Sequence, residues 1–168
     1  MAPTVYWSLT AVLIAVLLAV GVWALQTANR LDRLHVRYDL SWQALDAALA
    51  RRAVVARAVA ANAYGNSPEG KRLAALAGTA ERAPRSARET CENELSMVLE
   101  EVDPATIPVG LVTELADAET RVLLARRFHN DAVRDTLSLR ERRAVRWLKL
   151  GGTAALPSYF EIAESAQR

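Results

Sequence analysis

The amino-acid sequence predicts an all-α protein, in which an N-terminal transmembrane helix continues into an antiparallel bundle of three to four long helices. Three observations carry this expectation. Val5 to Leu25, VYWSLTAVLIAVLLAVGVWAL, is a run of 21 residues without a charge. Beyond it, apolar residues recur at helical spacing and no alternating strand pattern is found. Seven glycines and six prolines leave long stretches free of helix breakers. The expected division is a short outer N-terminus (1–4), the transmembrane helix (5–25), the bundle (26–139), and a basic amphipathic segment with a C-terminal tail (140–168).

At about 1.5 Å of rise per residue, the apolar run covers roughly 30 Å, the hydrocarbon thickness of a bilayer. Tyr6 and Trp7 at one end and Trp23 at the other occupy the positions of aromatic interface belts. A cleaved signal peptide needs a basic leader, a shorter apolar run and a small-residue cleavage site. The leader MAPT has no basic residue, so an uncleaved anchor is expected. Arg30, Arg33 and Arg37 follow the span and none precedes it, which predicts an outer N-terminus and a cytoplasmic body. Ala11, Ala15 and Ala19 recur every four residues, a stripe on which another membrane helix can pack closely. The same stripe also follows from the abundance of alanine in this chain.

The next helix positions are Leu31, Leu34, Tyr38, Trp42, Leu45, Leu49, Ala56 and Val59, so the membrane helix is expected to run on to about Asn62. There GNSPEGKR, Gly65 to Arg72, comes close to a phosphate-binding loop. Such a loop needs a preceding strand, a run of free backbone amides and a hydroxyl after the lysine. Here a helical Ala/Arg segment precedes it, Pro68 removes an amide, and Arg72 stands at the hydroxyl position. The residues instead predict a turn, with Gly65 ending one helix, Ser67 capping the next and Pro68 at its first position.

That next helix is expected from about Pro68 to Arg82, with Leu73, Leu76 and Ala80 inward. SARE, Ser86 to Glu89, has capping-box spacing and predicts the start of a third helix burying Cys91, Leu95, Val98, Leu99 and Val102. A last long helix is expected from near Leu111, with an inward stripe of Leu115, Ala118, Val122, Ala125, Phe128, Ala132, Val133 and Leu139. Residues 67–83 either extend the first helix, giving three arms, or fold back, giving four.

Charge is segregated along the chain. Residues 30–57 hold six arginines against three aspartates, 89–120 nine acids and no base, and 121–149 nine bases against three acids. This pattern marks either binding faces or, as the plainer expectation, oppositely charged helices lying side by side in one bundle. A formal net charge of +2 gives no footing for a nucleic-acid partner. Cys91 is the only cysteine, and no Cys/His spacing suggests a zinc site. His35 and His129 are isolated, and no catalytic motif is present, so no catalytic, metal or cofactor site is expected. Leu137 to Gly152 carries Arg140, Arg142, Arg143, Arg146 and Lys149 beside Trp147 and several aliphatic residues. It reads either as an amphipathic helix on an anionic inner leaflet or as an extension of the last helix against the acidic 89–103 segment.

Three blocks carry a resemblance to a known family: NRLDRLHVRYDLSWQALDAALARR (Asn29 to Arg52), ARRFHNDAVRD (Ala125 to Asp135) and PSYFE (Pro157 to Glu161). In order and spacing they resemble the LemA family, and the likeness spans nearly the whole chain. Its motif positions here are Arg126, Arg127, Phe128, Asn130, Asp131, Tyr159 and Phe160. The sequence departs from the family in AVVARAVA (Ala53 to Ala60) and in the turn signals between Gly65 and Arg85. The resemblance implies a bacterial inner-membrane protein with a small outer N-terminus and an internal bundle of long helices, and it implies no activity. The expected role is a non-catalytic adaptor or accessory subunit of a larger membrane complex, such as a multi-pass transporter or an envelope-transport assembly. The alternatives are a self-assembling structural protein of the inner membrane surface and a membrane-anchored signalling adaptor. The expected partners are the lipid bilayer and either a membrane protein or further copies of this chain.

Overall fold

The structure is a computed structural model that describes residues 2–148 and 156–162. Among the described residues all regular elements are helical: α1 (Ala2–Tyr64), α2 (Pro68–Arg82), α3 (Arg85–Glu100), α4 (Val109–Arg140) and α5 (Arg143–Trp147), with a 3-10 turn at Pro104–Thr106. The chain forms two compact units, Met1–Tyr38 with Ala132–Pro157, and Asp39–Asp131 with Ser158–Arg168.

In the first unit, α1 is long and apolar enough to cross a membrane, and none of its most apolar window is buried. Leu9, Leu13, Leu17 and Trp23 are all exposed. A helix that is apolar on every side suits the interior of a large protein or of a bilayer. Even the one threonine between Val5 and Leu25 is satisfied internally, since the Thr10 hydroxyl donates to the carbonyls of Tyr6 (3.0 Å) and Trp7 (2.9 Å). Further along, Leu31 is buried with Leu139 and Val145, and Leu34 packs against them. Arg37 pairs with Asp135 at 3.1 Å across an exposed contact.

The second unit holds the larger core. Ala53, Val55, Ala56, Val59 and Ala60 of α1 meet Leu73, Ala77 and Ala80 of α2, Leu95, Val98 and Leu99 of α3, and Ala118 of α4. A second cluster joins Leu45 and Leu49 to Val122 and to Phe160 of the tail. The basic 30–57 stretch meets the acidic 89–120 stretch where Arg51 of α1 pairs with Glu114 of α4. Arg57 pairs with Glu81 of α2 at 2.6 Å.

The turn after α1 forms as its residues demand. Gly65 has φ +56, a conformation that costs an L side chain about 1–2 kcal/mol. Ser67 is the N-cap of α2, its Oγ accepting the Gly70 N–H at 3.2 Å, and Pro68 takes the first helical position. A Cβ on Gly70 would stand 2.6 Å from the Gly65 carbonyl oxygen, so only glycine lets the chain turn this tightly. Pro68–Arg82 therefore form a helix separate from α1, and Arg57 of α1 reaches its Glu81.

Four expectations need correction. α3 starts at Arg85 with Pro84 as N-cap and no side-chain cap, so Ser86 lies within the helix and SARE is not a capping box. The proline, extended at φ −64 and ψ 159, sets the helix start one residue before the serine can cap it. Phe128 does not face inward: it is 63% exposed, and its neighbour His129 takes the buried position. The departure is local, since Ala132 and Val133 beyond it are buried as expected, and Ser41 and Trp42 of α1 lie against His129. Cys91 is half-buried rather than buried. The basic segment is not one continuous helix, because Glu141 and Arg142 form a turn between α4 and α5.

Candidate functional site

Two features of the second unit stand out from ordinary helix packing: a buried charge network, and a groove that grips the tail. The network is built on the apolar stripes themselves. Arg52 follows Leu45 and Leu49 at helical spacing, and Arg88 and Glu92 precede Leu95 and Leu99 in the same way, so all three charges are carried inward. Arg52 is 4% exposed, Arg88 3% and Glu92 0%. Arg52 Nη2 donates to Glu92 Oε2 at 2.7 Å and to the Glu92 carbonyl at 3.2 Å, and its Nη1 donates to Ser96 Oγ at 3.0 Å. Arg88 Nη2 lies 2.7 Å from Asp46 Oδ1, and its Nε lies 3.4 Å from Glu92 Oε1.

Arg88 has a further task. Its Nη1 donates to the carbonyls of Glu81 (2.8 Å) and Ala83 (3.4 Å), groups that the end of α2 leaves without a helical partner. One guanidinium thus closes α2, anchors α3 and reaches α1. Burial pushes the Glu92 carboxyl up from its ordinary value, opposed by Arg52 and Arg88 and reinforced by Asp46. A charge held at this depth is tolerable only because its partners are in place.

The groove lies beside Trp42. The Trp42 ring meets His129 edge-on at 5.6 Å and Phe160 at 5.9 Å, and the Arg85 guanidinium stands over it at 4.1 Å. Phe160 is 4% exposed, whereas its neighbour Tyr159 is 47% exposed. α4 grips the tail backbone rather than its side chains. The Asn130 carboxamide accepts the Phe160 N–H at 2.9 Å and donates to the Phe160 carbonyl at 3.0 Å, the two bonds a strand neighbour would make. One turn earlier, Arg126 donates to the Ile162 carbonyl at 3.0 Å. Glu89 accepts the Glu161 N–H at 3.2 Å. Beneath the tail, Ser41 Oγ and His129 Nδ1 share a hydrogen bond of 3.1 Å. Burial, and then the Arg85 charge, push the His129 imidazole below its ordinary value, while a bond with the Ser158 backbone acts the other way.

The residues singled out in the sequence separate into three groups. Arg126, Asn130 and Phe160 come together in the groove, whereas Arg127, Phe128 and Tyr159 are exposed and Asp131 is half-buried. Ala11, Ala15 and Ala19 are exposed along α1, with Tyr6, Trp7 and Trp23 near the ends of the apolar stretch. Arg142, Arg143, Arg146 and Trp147 are exposed around α5, and Arg140 is half-buried at the end of α4. Lys149 lies outside the described residues. Among the described residues no cluster of three His, Cys, Asp or Glu side chains could hold a metal ion.

Sequence reasoning missed Glu92 and Arg88 altogether. Their signal was a charged pair four residues apart on the same face as Leu95 and Leu99, where a solvated pair does not belong. The link between Asn130 and Phe160 joins residues 30 apart in the chain, and no local pattern reports it. No family model, no curated protein and no solved structure matches the chain.

Proposed function

We propose that this chain is a non-catalytic, single-pass membrane protein whose helical body serves as an adaptor or accessory subunit of a larger membrane assembly. The observation that carries this reading is the unburied apolar stretch of α1, part of the same helix that supplies Leu45, Leu49, Arg52 and Val59 to a packed core. The first stretch is suited to lipid and the second to a folded body in water. Arg30, Arg33 and Arg37 after the stretch favour a cytoplasmic body. The resemblance to the LemA family adds a bacterial inner membrane.

The order of the polar pairs supports an antiparallel bundle. Ser41 pairs with His129 and Arg51 with Glu114, so numbering rises along α1 as it falls along α4. With the fold-back of α2, this reads as four helices in the body. The adaptor role finds further support on the outside of α4, where Leu124 (49%) and Phe128 (63%) are exposed one turn apart. Large apolar side chains in that position are suited to a protein partner.

The test is purification of the tagged full-length chain in mild detergent, followed by identification of what accompanies it. Stoichiometric recovery of a multi-pass membrane protein, lost on Leu124→Ser with Phe128→Ser or on Ala15→Leu with Ala19→Leu, is the expected result. Recovery of the chain alone as a defined oligomer overturns the accessory-subunit reading in favour of self-assembly.

A further inference from the structure

α5 is a single helical turn, and among the described residues its buried anchor is Val145. Val145 is 1% exposed and packs with Leu31, Leu34 and Leu139. Every other residue of α5 is exposed, Trp147 to 90% and the following Leu148 to 44%. From Arg140 to Leu148 there are four arginines and one acid, Glu141. Arg143, Ala144, Arg146 and Trp147 line an open concavity. A tryptophan this exposed, beside the exposed Arg143 and Arg146, has no packing role among the described residues.

The level at which Val145 attaches gives that surface a meaning. The apolar stretch of α1 ends at Leu25 and the first charge is Arg30. Leu31, which holds Val145, lies about 9 Å further along the helix axis than Leu25. The headgroup layer on each side of a bilayer is about 5–8 Å thick. α5 is therefore tethered at the height where a bilayer's headgroups meet water, and the residues it turns outward are those of that zone. Tryptophan partitions to the headgroup level, and arginine is drawn to anionic lipid.

We propose that α5 is a second membrane contact, in which Arg143 and Arg146 bind the headgroups of anionic phospholipids and Trp147 enters the interface beside the exit of α1. The proposal rests on the reading of α1 as a membrane span. It adds a lipid preference and fixes how the first unit meets the bilayer, which a single spanning helix leaves free to rotate and tilt. Each arginine near an anionic surface strengthens such a contact about fivefold, so loss of two weakens it about 25-fold.

The test uses the full chain in nanodiscs of phosphatidylcholine, with or without phosphatidylglycerol, containing lipids brominated near the headgroup. Tryptophan quenching in the native chain minus that in Trp147→Phe isolates Trp147, and the same subtraction with Trp7→Phe and Trp23→Phe separates those two from Trp42 and reports on the apolar stretch of α1. Strong quenching of Trp147 is expected with phosphatidylglycerol. It should weaken in phosphatidylcholine alone, at high salt, and in Arg143→Gln with Arg146→Gln, whose exposed side chains leave folding intact. Quenching of Trp7 and Trp23 without Trp147 overturns the proposal and leaves the membrane span standing. Quenching of Trp147 that ignores lipid charge and both arginines overturns the anionic-lipid preference. If Trp7 and Trp23 are also unquenched, the membrane reading of α1 fails, and the proposal with it.

Discussion

Two stretches of α1 are rich in apolar residues and have opposite fates. Over residues 6–23 side chains on every side of the helix are exposed, whereas over 42–60 Leu45, Leu49, Ala53, Ala56 and Val59 are buried and Arg51 and Val54 are not. The difference lies in how apolar residues are distributed around the helix, not in how many there are. A one-sided stripe closes against other helices, while an all-round apolar surface needs a solvent of its own.

The largest effects come from breaking the buried stretch. Arg52→Leu leaves Glu92 without its closest partner at 0% exposure, and a cost of about 3–5 kcal/mol is expected. Chemical denaturation should show it as a fall in midpoint large enough to leave the second unit barely folded. Arg37→Leu removes a pair that is 58% and 45% exposed, and should cost less than about 1 kcal/mol.

The comparison sharpens when one change is made in both stretches. Leu17 and Leu40 are 62% and 59% exposed, yet their surroundings differ on the present reading. Leu17→Arg should cost about 2.5–3.5 kcal/mol of membrane insertion, measured by a glycosylation-reporter assay. Leu40→Arg should change neither insertion nor denaturation midpoint by more than about 0.5 kcal/mol. Equal effects at the two sites would erase the distinction between a lipid-facing and a water-facing surface.

At the end of the buried stretch, Gly65→Ala forces a side chain into the left-handed region and should cost about 1–2 kcal/mol, read from thermal denaturation. The smallest effect concerns the His129 imidazole against Ser41. Because its value is pushed down from 6.5 in the folded chain, the unfolded chain takes up the proton first. Its stabilising contribution is full above 6.5 and is lost as the pH falls through that value towards the folded one. Native protein should lose more stability than His129→Gln between about pH 7.5 and about pH 5.5. Glu92, pushed upward, works in the opposite sense over a range beginning near 4.5, so the paired variant isolates the histidine.

The helices were legible wherever the signal was local. Pro68, Ser67 and Gly65 act on their own backbone, so the turn could be read residue by residue. The stripe of α4 was read correctly at Ala118, Val122, Ala132 and Val133 but failed at Phe128, because over so long a helix the neighbours decide which side is covered. The serine at 86 shows a related failure, where a spacing rule lost to the backbone geometry of Pro84.

The sequence by itself determined that the chain is helical, that turn signals fall at Gly65–Pro68, and that one stretch is apolar on all sides. Each of these depends on backbone preferences and periodicity within a few residues. Only the tertiary structure decided that Arg88 closes α2 while pairing with Asp46 and Glu92, that Asn130 holds the backbone of Phe160, and that Val145 fastens α5 beside Leu31. Those contacts join residues far apart in the chain. Their geometry exists only once the helices have packed, and burial then turns ordinary charges and amides into specific partners.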